Sequence, residues 1–457
     1  MTSTVGVTPS QKQLRDSGVL GYSAPSSSSG SGSYQNGELE EAVSRTSSYD
    51  STETVDGSSE TSRGMAHVLR ALAFFAILGA TFLLAVAMAA DYPSQYIDSL
   101  TNSRLQQAET GGIAYSSLSA TEKSTLFKSF KKQYGKSYAD SASEDEAFDN
   151  FKDFLQLVDS RNTDEEKKGG KKAAVHGVTK FADLSESEFK RAYLTFKKNT
   201  DVTLKKFGTE APEEALVDKK ESADDRRQRR AERRALKDGN KKGDANVVNW
   251  SGVLTTPVND QGYCGSCWAF SAVQQLESDS IRAGYMTPDD SLSVQQLVSC
   301  DTNDYGCEGG YPVYGYKFIY DNGGVVANAS YPYTSYYDSV AQCESVSSDG
   351  NVVSLTDFYY FKTEAAMESH VSSTGPLSIC IDASTWSSYT SGTLSTCSDH
   401  VNHCVQVVGI NSDDGYWIIR NSWGTEWGED GYIYVQTDEN LCDITYLPTY
   451  VNPKKIK

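Results

Sequence analysis

Two cysteines separated by two residues, Cys264 and Cys267, have the types and spacing that most directly suggest chemistry in this sequence. Cys267 stands at the head of a stretch, 267–281, whose pattern predicts a helix. A thiol at a helix N-terminus meets the positive end of the helix dipole, which favours thiolate over thiol. Cys267 is therefore a candidate nucleophile.

The Cys264-x-x-Cys267 spacing has three interpretations. It could be a redox pair of the thioredoxin type, although no compact strand–helix–strand unit surrounds it. It could be half of a zinc site, although no second closely spaced Cys/His pair offers tetrahedral ligands. In the third interpretation, Cys267 attacks a carbonyl while Cys264 is held in a structural disulfide. That chemistry needs a general base and a residue that orients the base.

Two later motifs supply both groups. His403 stands at the mouth of an apolar, strand-like run, 401–409, and Asn421 belongs to the motif Arg-Asn-Ser-Trp-Gly. They follow Cys267 by 136 and 154 residues. A histidine can act as the base, and an amide can fix its orientation without adding charge.

These motifs resemble those of papain-like cysteine proteases, in which C-G-S-C-W surrounds the nucleophile and His and Asn follow about 130–150 residues later. The resemblance covers about residues 120–450. It implies an α+β fold of two domains, a helical left domain built on the Cys267 helix and a β-rich right domain carrying His403 and Asn421. A mostly helical prodomain would precede them. The resemblance implies no cofactor and no metal.

The resemblance also implies a role for each residue of the site. Cys267 would attack the scissile carbonyl, and His403 would hold it as thiolate and protonate the leaving amine. Asn421 would orient the imidazole, with Trp423 shielding that hydrogen bond from water. The side-chain amide of Gln261 and the Cys267 N–H would form the oxyanion hole.

Substrate contacts are implied in the same way. Gly309 and Gly310 resemble the edge that pairs with substrate backbone, where a side chain would obstruct close approach. The pocket for the second residue before the cut carries no charge, which predicts a preference for Leu or Val, a poorer fit for Phe, and rejection of Arg. Its residues would be Tyr311, Pro312, Cys380, Cys404 and Leu447.

All nine cysteines lie at or after Cys264, which indicates an oxidising, luminal environment. The family resemblance implies three bridges, and it leaves Cys267, Cys380 and Cys404 free. The last two, in apolar contexts, would be buried hydrophobic residues. The expected bridges are Cys264–Cys307, Cys300–Cys343 and Cys397–Cys442.

The N-terminal region predicts delivery to the secretory or endolysosomal route. Residues 1–62 are rich in Ser, Gly and Thr and predict a disordered cytosolic tail. Residues 71–90 carry no charge and are long enough to cross a bilayer. Basic residues before this span predict a type II signal-anchor, whereas a start at Met65 would make it a cleavable signal peptide. The mature enzyme would then act in the lumen of an acidic endolysosomal or vacuolar compartment, or be secreted.

Residues 115–200 predict the prodomain. Phe127, Phe130, Tyr134 and Tyr138 recur on one face of a helix, and a second helix should end near Asn162. The region resembles the inhibitory prodomain of cathepsin L- and F-type enzymes, whose G-x-[NT]-x-F-x-D element matches 177–183, although Ala147 stands at the family's Arg position. Ser185-x-x-Glu188 then has capping-box spacing. In the family, the following segment runs backwards through the cleft and blocks it.

Charge divides the chain at a basic linker with processing sites, 201–244. The protease domain, 245–457, carries 7 Lys and Arg against 25 Asp and Glu, whereas 91–244 is nearly neutral. A nucleic-acid partner is therefore not expected for the catalytic part. The expected partners are peptide and protein substrates, the chain's own prodomain as inhibitor, and the membrane through 71–90. Asn249 and Asn328 stand in glycosylation sequons.

Two other function classes fit parts of the sequence. A papain fold used only for binding usually lacks the nucleophile, whereas Cys267, His403 and Asn421 are all present here. A prodomain that inhibits other proteases is the second alternative. We interpret the chain as a cysteine endopeptidase made as an inactive precursor.

Overall fold

The computed structural model of the protein describes residues 103–169, 173–198, 208–211, 246–344, 350–398 and 400–456. The predicted tail 1–62 and apolar span 71–90 lie outside these residues, as does most of the linker 201–244. Within the described ranges, no helix is both long and apolar enough to cross a membrane. The described residues from Arg104 onward belong to one compact unit.

The N-terminal segment, residues 103–198, is mostly helical. Ser119 and Ser185 are N-caps, each in a capping box with the glutamate three residues later. That arrangement satisfies two backbone donors at once and begins the helix at a defined residue. The chain is helical at 103–109 and then forms α1 (Ala120–Gln133), α2 (Ser141–Gly169) and α3 (Glu186–Tyr193). A short strand, β1 (Val175–His176), lies between α2 and α3.

The first expected helix is shorter than its aromatic pattern predicts. It ends at Gln133, and Gly135 adopts a left-handed conformation (φ +60°) that turns the chain away. Tyr138 therefore lies outside the helix. Its ring still packs on Phe127, with centroids 6.1 Å apart. The aromatic repeat therefore predicted correctly that these side chains pack together, but it did not predict where the helix ends.

The second helix is longer than predicted, because α2 continues past Asn162 to Gly169. The added turns contain Glu165, which is fully buried. Its carboxylate accepts hydrogen bonds from the backbone N–H groups of Ser395 (3.0 Å) and Thr396 (2.9 Å). A contact from 230 residues away thus holds the end of the helix in place, which local sequence cannot reveal.

The C-terminal part, residues 246–456, begins with a helical half. Helix α4 runs down its centre, and nearly all of its residues are buried. Gly315 lies in close contact with α4, where an added Cβ would stand 3.1 Å from that of Ala272. The helices are α4 (Cys267–Arg282), α5 (Val294–Cys300) and α6 (Pro312–Asp321).

The other half is a twisted, mostly antiparallel sheet. Its strand order is β2-β5-β12-β6-β9-β10-β11-β8, with β3 paired to β9 and β4 to β5, while β1 pairs with β7 in a separate ribbon. One helix, α7 (Glu364–Ser373), precedes β6. The strands are β2 (Thr209–Glu210), β3 (Val247–Asn249), β4 (Val325–Val326), β5 (Asn351–Tyr360), β6 (Leu377–Ile381), β7 (Tyr389–Ser391), β8 (Thr393–Leu394), β9 (His403–Asn411), β10 (Tyr416–Arg420), β11 (Tyr432–Gln436) and β12 (Thr449–Lys455).

The register of β9 and β10 positions the candidate base and its partner. These strands are antiparallel, with Arg420 opposite Gln406, so the end of β10 lies beside the start of β9. His403 is the first residue of β9, and Asn421 directly follows β10. His403 and Asn421 are 18 residues apart in sequence, but their side chains meet at the same end of these two neighbouring strands.

Four disulfides cross-link the C-terminal part, and three of them are the pairs that the family resemblance implied. The fourth joins Cys380 to Cys404, so the expectation that these two thiols are free is wrong. The sequence predicts both to be buried hydrophobic residues because they stand in apolar, strand-like runs. They are, however, directly opposite each other on β6 and β9, with Cα atoms 4.0 Å apart. Such cross-strand neighbours can be bridged, and strand pairing is not visible in local sequence. Cys267 is the free cysteine.

We expect the Cys264–Cys307 bridge, which spans 43 residues, to be a major stabiliser. Removing it with Cys264→Ala and Cys307→Ala should lower the free energy of unfolding by about 2–5 kcal/mol, because the unfolded chain regains the entropy of an open loop. Urea unfolding of the precursor measures this loss. Cys267→Ala breaks no bridge and serves as the control. Equal unfolding midpoints for the bridge variant and the control would contradict the assignment.

Candidate active site

Cys267 lies at the point where the chain enters α4. Ser266 is the N-cap, and the Cys264–Cys307 bridge ties the preceding turn to the loop that carries Gly309. The thiol is fully buried, and burial raises its pKa to about 12. The backbone N–H groups of Cys404, Trp268 and Cys267 itself act in the opposite direction. Burial therefore outweighs the helix N-terminus, and the thiol is protonated at neutral pH.

His403 is hydrogen-bonded to Asn421, with 2.8 Å between Nε2 and Oδ1. The Asn421 oxygen also accepts from the Ser422 N–H at 2.8 Å, which fixes the orientation of the amide. Because that oxygen can only accept, Nε2 carries the ring proton and Nδ1 is the basic nitrogen. The backbone N–H of Cys404, the next residue, interacts with the Cys267 thiol, so the thiol lies at the start of β9.

Water is also excluded from the imidazole of His403, which is fully buried. Burial lowers the pKa of His403 to about 4, and the Asn421 hydrogen bond and the backbone of Tyr193 offset only part of that shift. Trp423 covers one face of the ring, with centroids 4.9 Å apart. The thiol and the imidazole are therefore both neutral at pH 7 in this form of the protein.

Gln261 is held by hydrogen bonds from both its side chain and its backbone. Its side-chain N–H donates to the Cys264 carbonyl at 2.9 Å, and its Oε1 accepts from the Ser422 hydroxyl at 2.7 Å. The backbone N–H of Gln261 donates to the Ser422 carbonyl at 2.8 Å. Ser422, which sequence reasoning missed, thus links Gln261 to Asn421, because its backbone N–H also donates to Asn421 Oδ1.

The chain following α3 crosses the site. Thr195 donates from its hydroxyl to the Gly265 carbonyl at 3.0 Å, and the Phe196 N–H donates to the Asn402 carbonyl at 3.1 Å. An added Cβ at Gly309 would lie 2.7 Å from the Thr195 carbonyl oxygen, so only glycine permits this approach. The N-terminal segment therefore covers the surface next to Cys267 that is formed by Gly265 and Gly309.

Phe196 fills an apolar pocket that contains most of the predicted specificity residues. It packs in one cluster with Cys267, the Cys380–Cys404 bridge and Leu447. Tyr311 meets the Phe196 ring edge-on at 5.0 Å, and Tyr446, absent from the sequence prediction, lies at 5.8 Å. Gly310 is buried against Trp268 and Asp304, and Pro312 is buried as the first residue of α6.

Aromatic residues anchor the N-terminal segment on the other side of the histidine. Phe181, Phe189 and Tyr193 all meet Trp423 edge-on, with centroids 5.3, 5.4 and 5.8 Å apart. Phe181 belongs to the element 177–183 that the sequence singled out. Trp423 is thus sandwiched between His403 and three rings of the N-terminal segment, which excludes water from the imidazole.

Comparison with known proteins matches two families to the two parts of the chain. Residues 245–452 match the papain family cysteine protease model, and residues 127–189 match the cathepsin propeptide inhibitor domain (I29). Cysteine proteinase 2 of Leishmania pifanoi is 35% identical over 337 residues, which cover 72% of this chain and 69% of that protein. The cathepsin L-like proteinase of Phaedon cochleariae is 31% identical over 343 residues, which cover 73% and 95%. The solved structure of digestive procathepsin L2 from Tenebrio molitor larval midgut has a TM-score of 0.59 at 26% identity and covers 72% of this chain and 99% of that one.

The raised pKa of Cys267 predicts an unreactive thiol in the intact precursor. With the pKa near 12, about 10⁻⁵ of the thiol is ionised at pH 7, so alkylation by iodoacetamide should be at least about 100-fold slower than for an ordinary cysteine. The rate should rise about tenfold per pH unit, because the thiolate is the reactive species. Mass spectrometry of the timed reaction measures it, and the urea-unfolded chain, in which one thiol reacts, is the control. Rapid modification of the folded precursor at pH 7 would contradict the claim that Cys267 is buried and protonated.

Proposed function

The chain belongs to the papain family of cysteine proteases, and from that membership we propose that Cys267, His403, Asn421 and Gln261 cleave peptide bonds once residues 103–198 have left the cleft. The observation that carries this proposal is the hydrogen bond from His403 to Asn421 beside a free thiol at the start of α4. We call residues 103–198 the propeptide from here on, since they contain the match to the propeptide inhibitor domain.

Each residue has a defined task in the proposed reaction. His403 Nδ1 takes the thiol proton, and the Cys267 sulfur attacks the scissile carbonyl carbon. The second amide proton of Gln261 and the backbone N–H of Cys267 bind the oxyanion that forms. His403 then gives its proton to the leaving amine as the C–N bond breaks. Water hydrolyses the resulting thioester and regenerates the thiol.

Release of the propeptide supplies the electrostatic change that this chemistry needs. Thr195, Phe196 and the rings on Trp423 exclude water from Cys267 and His403 in the precursor. A hydrated site lowers the pKa of the thiol and raises that of the imidazole, because charged forms regain solvation. The helix N-terminus at Cys267 then favours the thiolate–imidazolium pair.

We further propose that the Phe196 pocket receives the second residue before the cut. Its walls are apolar and include Leu447. From the family resemblance, we propose that Leu447 occupies the position at the pocket base where a carboxylate in some relatives accepts Arg. Because the propeptide places a phenylalanine against Leu447, we propose that Phe fits the pocket as well as Leu, in place of the poorer fit that the sequence predicts. The apolar preference itself is unchanged.

The same proposal covers delivery. We take residues 71–90 as a type II membrane anchor that brings the precursor into an acidic endolysosomal or vacuolar lumen, with secretion of the mature enzyme as the alternative. The support is the uncharged sequence of that span and the four disulfides of the C-terminal part. Asn249 and Asn328 are the proposed glycan acceptors. The element 177–183 suits the propeptides of both cathepsin L- and F-type enzymes.

The nucleophile and base assignments predict the outcome of three alanine variants. Cys267→Ala and His403→Ala should each lower kcat of the processed enzyme by about 10⁴-fold or more, because the members of such a site act as a unit. His400→Ala should stay within twofold, since His400 is an exposed histidine three residues away. Steady-state hydrolysis of a fluorogenic peptide measures all three. Activity of Cys267→Ala near that of the parent would refute the assignment.

The pocket assignment predicts a peptide preference. For peptides that differ only at the second residue before the cut, kcat/KM should be about 10–200-fold higher with Leu or Phe than with Arg. Leu447→Glu should raise cleavage of the Arg peptide, because the buried cation gains a partner. Val253→Glu, which adds the same charge at a site 57% exposed, is the matched control. An Arg peptide cleaved as well as the Leu peptide by the parent enzyme would show that other residues line the pocket.

A further inference from the structure

The contact between the propeptide and residues 384–396 of the protease buries a guanidinium group. Arg161, on α2, is 9% exposed. Its Nη1 donates to the hydroxyls of Ser387 at 2.8 Å and Ser388 at 2.7 Å, and its Nη2 donates to the Ser384 carbonyl at 2.9 Å. The acceptors are hydroxyl and carbonyl oxygens. None of these three hydrogen bonds therefore pairs the positive guanidinium of Arg161 with a carboxylate.

A histidine lies against the same hydroxyl. His176, on β1, is 2% exposed, and its Nδ1 is 2.9 Å from Ser388 Oγ. Its backbone is held on both sides: Asn162 accepts from the His176 N–H at 2.7 Å and donates to the His176 carbonyl at 2.9 Å. The Gly177 N–H donates to the Ser388 carbonyl at 2.8 Å. The backbone that carries the ring is therefore fixed in place while the propeptide stays docked.

The proton directions in this network favour a neutral imidazole. Arg161 can only donate, so Ser388 Oγ accepts from the guanidinium and has one proton left to donate. His176 Nδ1 is positioned to accept it. A protonated ring would need Nδ1 to donate, which would crowd two cationic donors onto one hydroxyl. Nε2, on the other side, is buried without a protein hydrogen-bond partner, so a charged ring would gain no acceptor there.

The charges around the ring reinforce this preference. Burial, and secondarily the Arg161 charge, lower the pKa of His176 to about 3. Glu165, one turn along α2, is engaged with Ser395 and Thr396, and Glu186 acts on Arg161 rather than on the ring. From the protease side, Tyr389 is the cross-strand partner of His176 and is a neutral phenol. Among the described residues, no carboxylate accepts a hydrogen bond from either ring nitrogen.

We propose that His176 is an acid-sensitive latch: it holds the propeptide on the protease while neutral and opposes docking once the medium can protonate it. The proposal deepens the proposed function, because it assigns the release of the inhibitory segment to one residue. In the released propeptide, His176 would be exposed and would have an ordinary pKa near 6.5. As the pH falls below that value, the released form binds a proton that the docked form excludes. Docking should therefore weaken by up to about tenfold per pH unit between pH 6.5 and 4.

The test measures docking in a precursor that cannot cleave itself. In full-length Cys267→Ala protein, amide hydrogen exchange of residues 173–193, corrected for the intrinsic effect of pH on exchange, reports opening from pH 7.5 to 4. The parent should open increasingly below pH 6.5. Adding His176→Gln, which is neutral at every pH and keeps a hydrogen-bond acceptor, should move the opening midpoint down by at least about one pH unit. His400→Gln removes an exposed histidine and should leave the profile of the parent unchanged.

A second measurement does not depend on how the glutamine variant folds. The chain has five histidines, so the ring resonances of selectively labelled Cys267→Ala protein can be assigned by substitution. We expect the His176 ring of the docked form to stay neutral at pH 5 and to titrate only with opening. Titration near pH 6.5 in the docked precursor, or an opening profile that is the same with and without His176, would overturn the proposal. Neither readout uses peptidase activity, so a failure of the catalytic assignment would be seen separately in the alanine variants.

Discussion

Exclusion of water from one thiol and one imidazole is the constraint on which the precursor depends. Cys267 and His403 are both fully buried, and burial shifts their pKa values in the two directions that leave each group neutral. An ion pair between them would need hydration or a strong acceptor, and the docked propeptide offers neither. Inhibition is thus a matter of solvation as well as of blocked access. The hydrogen bond between His403 and Asn421 is already formed under the propeptide.

The propeptide maintains this dry site through contacts of two chemical kinds. Near the site, apolar side chains exclude the water: Phe196 fills the pocket beside Cys267, and Phe181 packs on Trp423. Hydrogen bonds from Thr195 and Phe196 accompany these apolar contacts. Farther away they are polar and buried, and Arg161 and Glu165 end on backbone and hydroxyl groups of one protease segment. The side chains of Phe196 and Phe181 contain no titratable group, whereas the polar network at Ser388 contains His176, for which we propose acid sensitivity.

The site was far more predictable than the contacts that cover it. Cys267, His403 and Asn421 stand in short motifs with characteristic spacing, and the α+β fold follows from the family that those motifs indicate. The Cys380–Cys404 bridge was missed because it depends on the register of β6 against β9, which no local pattern encodes. The extension of α2 likewise depends on a long-range contact, the hydrogen bonds that Glu165 accepts from Ser395 and Thr396. Phe196 carries no motif, and only the path of the chain through the cleft makes it important. Ser422 stands inside the Arg-Asn-Ser-Trp-Gly motif, but its hydrogen bond to Gln261 depends on the fold.

Cutting the connection between propeptide and protease at neutral pH tests the central claim most directly. A recognition site for a sequence-specific protease, placed between residues 212 and 245, allows the chain to be cut without acid. Peptide hydrolysis is then measured at pH 7.5, before and after a brief exposure to pH 4.5. Our account predicts that the cut protein stays inactive until it is acidified, because contacts rather than the covalent link keep Cys267 and His403 dry. Full activity at pH 7.5 immediately after the cut would contradict it.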